Sequence, residues 1–156
     1  MIKGMHHAGL STRDAEALTS FYCDLLGFTK VFEMEWETGN EACDIITGLR
    51  DSAAKLCMIK SGDVYLEIFE YRNPLGTPAN HDRAVNDVGI AHICIDVEDN
   101  VTEYERLSAA GVTFHGPPQE VAGVVRVAYA RDPDGNVVEL QEILDRSHPL
   151  YLAHGH

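Results

Sequence analysis

Two short apolar runs in this chain each carry a glutamate in their middle, and that doubling restricts the fold more than any other feature. Asp132-Pro133-Asp134-Gly135-Asn136-Val137-Val138-Glu139-Leu140 is a Pro/Gly turn feeding a β-branched run. A carboxylate inside such a strand must be solvated, paired or bound to a metal. Gly62-Asp63-Val64-Tyr65-Leu66-Glu67-Ile68-Phe69-Glu70 has the same form. Aligned on Glu67 and Glu139, Leu66-Glu67-Ile68 matches Val138-Glu139-Leu140, and Glu70 matches Glu142 three places later. The chain repeats one unit.

The remaining segments support the repeat. Residues 3–11 read as a strand containing His7, followed by a helix that Asp14 caps and whose residues Leu18, Phe21, Tyr22 and Leu25 share one face until Gly27. Residues 28–36 form a strand, 38–52 break the pattern as an insertion with one helical turn, and 55–60 and 64–71 form a hairpin about Ser61-Gly62-Asp63. A linker over 72–87 holds Pro74, Gly76 and Pro78. The second copy begins with a strand over 89–97 that carries His92, then a helix capped by Asp99 and stopped by Gly111. Strands over 112–115, 124–130 and 136–143 complete it, with Gly116-Pro117-Pro118 as one turn. His7 to Asp14 and His92 to Asp99 are both steps of seven residues. The order strand, helix, strand, strand, strand thus occurs twice, in modules 1–71 and 88–143 of one domain, and 144–156 is a C-terminal extension.

Composition excludes several classes. The 156 residues, with 12 basic and 25 acidic side chains and a formal charge of -13, argue against a nucleic-acid or anionic-membrane partner and fit a small-molecule protein. The start lacks the apolar run of a signal peptide and no stretch is apolar enough to span a bilayer, which predicts a cytoplasmic location. Cys23, Cys43, Cys57 and Cys94 fall at no metal or redox spacing and read as reduced thiols.

The repeat places His7 and His92 on the first strand of each module and Glu67 and Glu139 on the last. If the modules pack about a pseudo-two-fold axis, these four side chains surround one point. Two imidazoles and two carboxylates suit a divalent ion: Zn, Ni, Co, Mn or Fe(II). Strand alternation sets Tyr65, Glu67 and Phe69 on one face, and Val137, Glu139 and Gln141 on another.

These motifs resemble the vicinal-oxygen-chelate superfamily, which includes glyoxalase I, methylmalonyl-CoA epimerase, extradiol dioxygenases and bleomycin-resistance proteins. Phe21-Tyr22-Cys23-Asp24-Leu25-Leu26-Gly27-Phe28 is similar to its first-helix signature, and the run from Asp132 to Leu140 to its last-strand signature. The resemblance implies an α+β fold in which two βαβββ modules form an open, cup-shaped mixed sheet. It places the metal ligands at His7, Glu67, His92 and Glu139. That ligand set resembles bacterial glyoxalase I, whereas His92-Ile93-Cys94-Ile95-Asp96-Val97 and Leu75-Gly76-Thr77-Pro78 look more like the epimerase. A homodimer is implied as well.

The chemistry expected of such a site is proton transfer α to a carbonyl. The metal acts as a Lewis acid on substrate oxygens, and Glu139 or Glu67 takes the acidified proton as general base. Returning it to the neighbouring carbon isomerises; returning it to the same carbon from the other side epimerises. Two other classes compete. An Fe(II) extradiol-type oxygenase would use His7, His92 and Glu139, but Glu67 would then fill a position that oxygen needs. A binding protein of bleomycin-resistance type would not need four ligand-type residues.

The other polar residues have simpler readings. His6 is expected on the opposite strand face from His7. Glu70, Glu142, Glu33, Glu35 and Glu37 read as solvated faces, and Arg72, Arg83 and Arg126 as surface charges. His115, His148, His154 and His156 have no partner in the repeat. Specificity is expected in 38–52, where the chain departs from the repeat.

Overall fold

A computed structural model describes residues 1–153; His154 and His156 lie outside the described residues. The chain divides into two compact units, the first ending at Ala79 and the second beginning at Asn80, inside the segment read as a linker.

In the first unit, β1 (His7–Thr12) leads into α1 (Ala15–Ser20), which continues as a π-helical turn over Phe21–Leu25. Then come β2 (Thr29–Trp36), α2 (Glu41–Thr47), β3 (Ala53–Ser61) and β4 (Val64–Asn73). The strands form one mixed sheet in the order β1-β4-β3-β2, with β1 parallel to β4 and the other neighbours antiparallel. Alternation divides β4 into two faces. Leu66 and Ile68 are buried, as are Cys57 and Ile59 of β3 and the helical residues Leu18, Phe21 and Tyr22. The other face carries Tyr65, Glu67, Phe69 and Tyr71, where Trp36, Ala54 and Leu56 cluster with Phe69 and Tyr71.

The second unit repeats this design with β5 (Ile93–Asp96), α3 (Asn100–Ala109), β6 (Gln119–Val121), β7 (Val125–Arg131) and β8 (Val137–Ile143). Its order is β5-β8-β7-β6, again with the first strand parallel to the last. Leu107 of α3 is fully buried, as are Val138 and Leu140 of β8. No helix among the described residues is long and apolar enough to cross a membrane.

Several local expectations change. The strand expected over 112–115 makes only an isolated bridge, Phe114 to Ala130, and the ladder on that edge of β7 is β6. Gly116-Pro117-Pro118 interrupts the edge, because proline has no N–H to donate. The insertion over 38–52 contains a seven-residue helix that Asn40 caps through the Cys43 amide and Gly48 ends at φ +69°. Asp44 binds that segment together by accepting from Ser52 N, Ser52 Oγ and Asp51 N, and Ser52 Oγ accepts from the Trp36 indole at 3.0 Å.

Glu70 and Glu142 are half-buried helix caps and not solvated residues. Glu70 accepts from the amide of Ala15 at 2.8 Å and Glu142 from that of Asn100 at 3.2 Å, the first residue of each unit's helix. Their carboxylates complement donors that no intrahelical carbonyl can reach. Arg126 is engaged by the same Glu142 at 2.9 Å, and Arg72 pairs with Glu35 and Glu37.

Candidate metal centre

Each unit brings one predicted histidine to one predicted glutamate. His7 opens β1, and the parallel β1–β4 register sets it beside Tyr65, two residues before Glu67. Its Nε2 lies 3.1 Å from Glu67 Oε2. In the second unit His92 immediately precedes β5, shorter than the strand expected over 89–97, and its Nε2 lies 2.8 Å from Glu139 Oε2. Glu139 is buried, Glu67 half-buried, and both imidazoles keep about a third of their surface open. Two residues more than forty positions apart in sequence meet through the same parallel pairing in both units.

The surroundings of the two pairs differ. His6 precedes β1, so strand alternation does not govern it. Its ring stacks on Tyr65 with centroids 4.8 Å apart and its Nδ1 meets His7 Nδ1 at 2.9 Å, on the His7 side and not opposite to it. One of those nitrogens must carry the proton, so His6 and His7 constrain each other's tautomer. Beside Glu139 the ladder sets Cys94 on one flank and Tyr129 on the other. Cys94 keeps exposed surface, yet desolvation at its sulfur and the Glu139 carboxylate, with which it hydrogen-bonds, push its thiol up to about 12. Desolvation and the same carboxylate also raise the Tyr129 phenol. The Tyr129 ring lies 5.2 Å from that of His92 and 6.0 Å from that of His115.

The donors suit a divalent ion. Imidazole nitrogen and carboxylate oxygen are the ligand types that borderline divalent metals take, and a nitrogen and an oxygen already converge within each unit. A buried carboxylate such as Glu139 gains most from a positive partner. Each unit offers two donors, and the described residues contain no group of three or more His, Cys, Asp or Glu side chains able to hold a metal.

That Cys94 and Tyr129 flank Glu139 and that Arg131 shares its sheet face was not legible in the sequence. Tyr129 and Arg131 alternate along β7, but only the antiparallel register shows that their face is that of Glu139.

Two mixed sheets of βαβββ order, each presenting a His–Glu pair, define a vicinal-oxygen-chelate fold. The chain belongs to the Glyoxalase/Bleomycin resistance protein/Dioxygenase superfamily, which it matches over residues 4–140. It is 27% identical over 141 residues to the uncharacterized protein YaeR of Escherichia coli, covering 90% of this chain and 97% of YaeR. It is 29% identical to biphenyl-2,3-diol 1,2-dioxygenase 3 of Rhodococcus globerulus, over 86% of this chain and 60% of that enzyme. To lactoylglutathione lyase of Pseudomonas aeruginosa it is 25% identical, over 86% of this chain and 80% of the lyase. Among solved structures, a glyoxalase family protein from Bacillus cereus superposes with a TM-score of 0.84 at 20% identity, covering 93% of this chain and 97% of that one. The fosfomycin resistance protein FosX of Listeria monocytogenes, in complex with Mn(II) and sulfate, does so with 0.61 at 19% identity, covering 91% and 93%.

Proposed function

We propose that this chain is a divalent-metal-dependent enzyme of the superfamily that moves a proton α to a carbonyl, with His7, Glu67, His92 and Glu139 as its metal ligands. The observation that carries this reading is the doubled His–Glu pair, built at 3.1 and 2.8 Å at matching positions of two units. A divalent ion of this kind takes about four protein or solvent donors, and imidazole with carboxylate are ligand types it accepts. FosX, which shares the fold, was solved with Mn(II) bound, and the relative named lactoylglutathione lyase is consistent with a lyase reaction. The ion would be Zn, Ni, Co, Mn or Fe(II) and would supply Lewis acidity toward the substrate oxygens.

The residues of the chain do the rest. His7 and His92 would each hold the ion through an imidazole nitrogen. Glu139, buried beside Tyr129 and Cys94, is better shielded from water than Glu67 and serves as the general base, with Glu67 in the equivalent position of the other unit. Delivery of the proton to the neighbouring carbon gives isomerisation of lactoylglutathione-lyase type; delivery to the same carbon gives epimerisation of methylmalonyl-CoA type. The protein acts as a cytoplasmic homodimer on a small molecule. The dioxygenase relative favours a second reading, an Fe(II) extradiol-type oxygenase.

Elemental analysis of untagged protein tests this, wild type beside Glu139→Gln and His92→Ala, followed by assays on the methylglyoxal–glutathione hemithioacetal and on methylmalonyl-CoA. Near-stoichiometric metal that falls in both variants, with turnover of one substrate, is expected. Bound iron with oxygen uptake on a catechol supports the oxygenase. Failure to take up any of the five ions leaves a metal-free binding protein of bleomycin-resistance type.

A further inference from the structure

The sheet face that carries Glu139 also carries a cation whose hydrogen bonds among the described residues all go to neutral groups. Arg131 lies opposite Val137 in the β7–β8 ladder, one step along from the Tyr129–Glu139 pair, and residues directly opposed in a ladder share a face. On the other flank of β8, Cys94 lies opposite Glu139, and His92, just before β5, reaches Glu139 at 2.8 Å. Val137 and Arg131 form one row across the face, and Cys94, Glu139 and Tyr129 the next.

Arg131 is half-buried and held in place by three bonds. Nε donates to His115 Nε2 at 3.0 Å, Nη1 to the Gly135 carbonyl at 2.6 Å and Nη2 to the Arg83 carbonyl at 2.9 Å. These anchor the guanidinium to the Asp132–Asn136 turn and to the loop before β5, but they do not neutralise it. Arg72, Arg106 and Arg126 by contrast each face a carboxylate. A guanidinium has five N–H groups, so one remains on each terminal nitrogen of Arg131. His115 is itself held below the usual imidazole range, first by desolvation and then by the Arg131 charge. A half-buried, immobilised and unneutralised guanidinium is the group that best recognises an oxyanion.

We propose that Arg131 is the specificity-determining residue of this site and that the substrate carries a small oxyanionic group, a carboxylate or a phosphate, one sheet row from the carbon that Glu139 deprotonates. The position of that carbon rests on the proton-transfer reading above; the anion site itself does not.

Titration of the protein with inorganic phosphate and, separately, with acetate tests the proposal, read by the NMR signal of the Arg131 Nε–H, which is assigned from its absence in Arg131→Lys. Mn(II) uptake is measured in parallel. The signal is expected to shift saturably, and Arg131→Gln to weaken anion affinity by about tenfold or more, with Mn(II) uptake as in wild type. Tighter phosphate than acetate assigns a phosphate-bearing substrate, and the reverse a carboxylate. An Nε–H that moves with neither anion overturns the proposal, and that measurement does not depend on whether the Gln variant folds. A Gln variant with wild-type anion affinity and only a lowered Tm also overturns it, since that marks a purely structural arginine. Loss of metal uptake in wild type would defeat the proposed function and leave the anion result standing on its own.

Discussion

Glu142 Oε2 accepts both the backbone amide of Asn100 and Nη1 of Arg126, so one carboxylate of the last strand fixes the start of the helix that lies 42 residues earlier. Glu70 does the same for Ala15 across 55 residues. The repeat therefore doubles the joint between helix and sheet as well as the His–Glu pair. Glu142→Ala leaves the Asn100 amide and the Arg126 charge short of a partner and is expected to lower stability by about 1–3 kcal/mol. Glu142→Gln keeps an acceptor and should lose less. Urea unfolding of the two variants checks the order.

Asp14 and Asp99 cap the same two helices through Ala17 N and Thr102 N. Replacing either by Ala is expected to cost roughly 1 kcal/mol, and by Asn much less, because Asn keeps the side-chain acceptor. Thermal melts of the four variants give the comparison.

Trp36 is the single tryptophan of the chain and donates to Ser52, so its fluorescence reports on the 38–52 segment. Ser52→Ala strands the buried indole N–H at a cost of about 1–3 kcal/mol. The emission maximum should shift together with a fall in the urea midpoint. Unchanged emission would mean that the indole does not depend on Ser52.

Acid should weaken the fold through carboxylates held below their usual range. Hydrogen bonds from Ser52 lower Asp44, and those from Thr102 lower Asp99. A carboxylate whose folded pKa is depressed is protonated more readily in the unfolded chain. Its contribution is present above the unfolded value of about 3.9 and is lost as pH falls through the lower folded value. The urea midpoint is therefore expected to be level in this respect down to about pH 4 and to drop below it, less steeply in Asp44→Asn.

Metal removal checks the proposed site itself. If the ligand set holds an ion, free metal at 100 times its dissociation constant stabilises the fold by about 2.7 kcal/mol, and a chelator removes that increment. Glu67→Gln and Glu139→Gln should each shrink the chelator-induced fall in Tm. Equal falls in wild type and both variants would show that the ion binds elsewhere.

The sequence already contained the doubled order of strand, helix and strands, because period-two alternation and Asp caps are local signals that recur at equal spacing. The matching positions of His7 and His92, and of Glu67 and Glu139, in the two repeats were legible for the same reason. Where reading failed, the missing information was a partner. Glu70 and Glu142 have the composition of exposed strand ends, and nothing local distinguishes a solvated carboxylate from one that receives a helix amide. The Gly116-Pro117-Pro118 break moved an edge strand by several residues because either side of it can pair with β7.

What the sequence by itself determined is therefore the set of elements and which side chains share a face within one strand, since both depend on neighbours in the chain. What only the tertiary structure decided is which strands lie side by side and in what register. That choice joins His7 to Glu67 and His92 to Glu139, turns two glutamates into helix caps, and puts Arg131 on the face of the proposed base. Register is set by the burial of whole strand faces against helices, a long-range energy that no short stretch of residues carries.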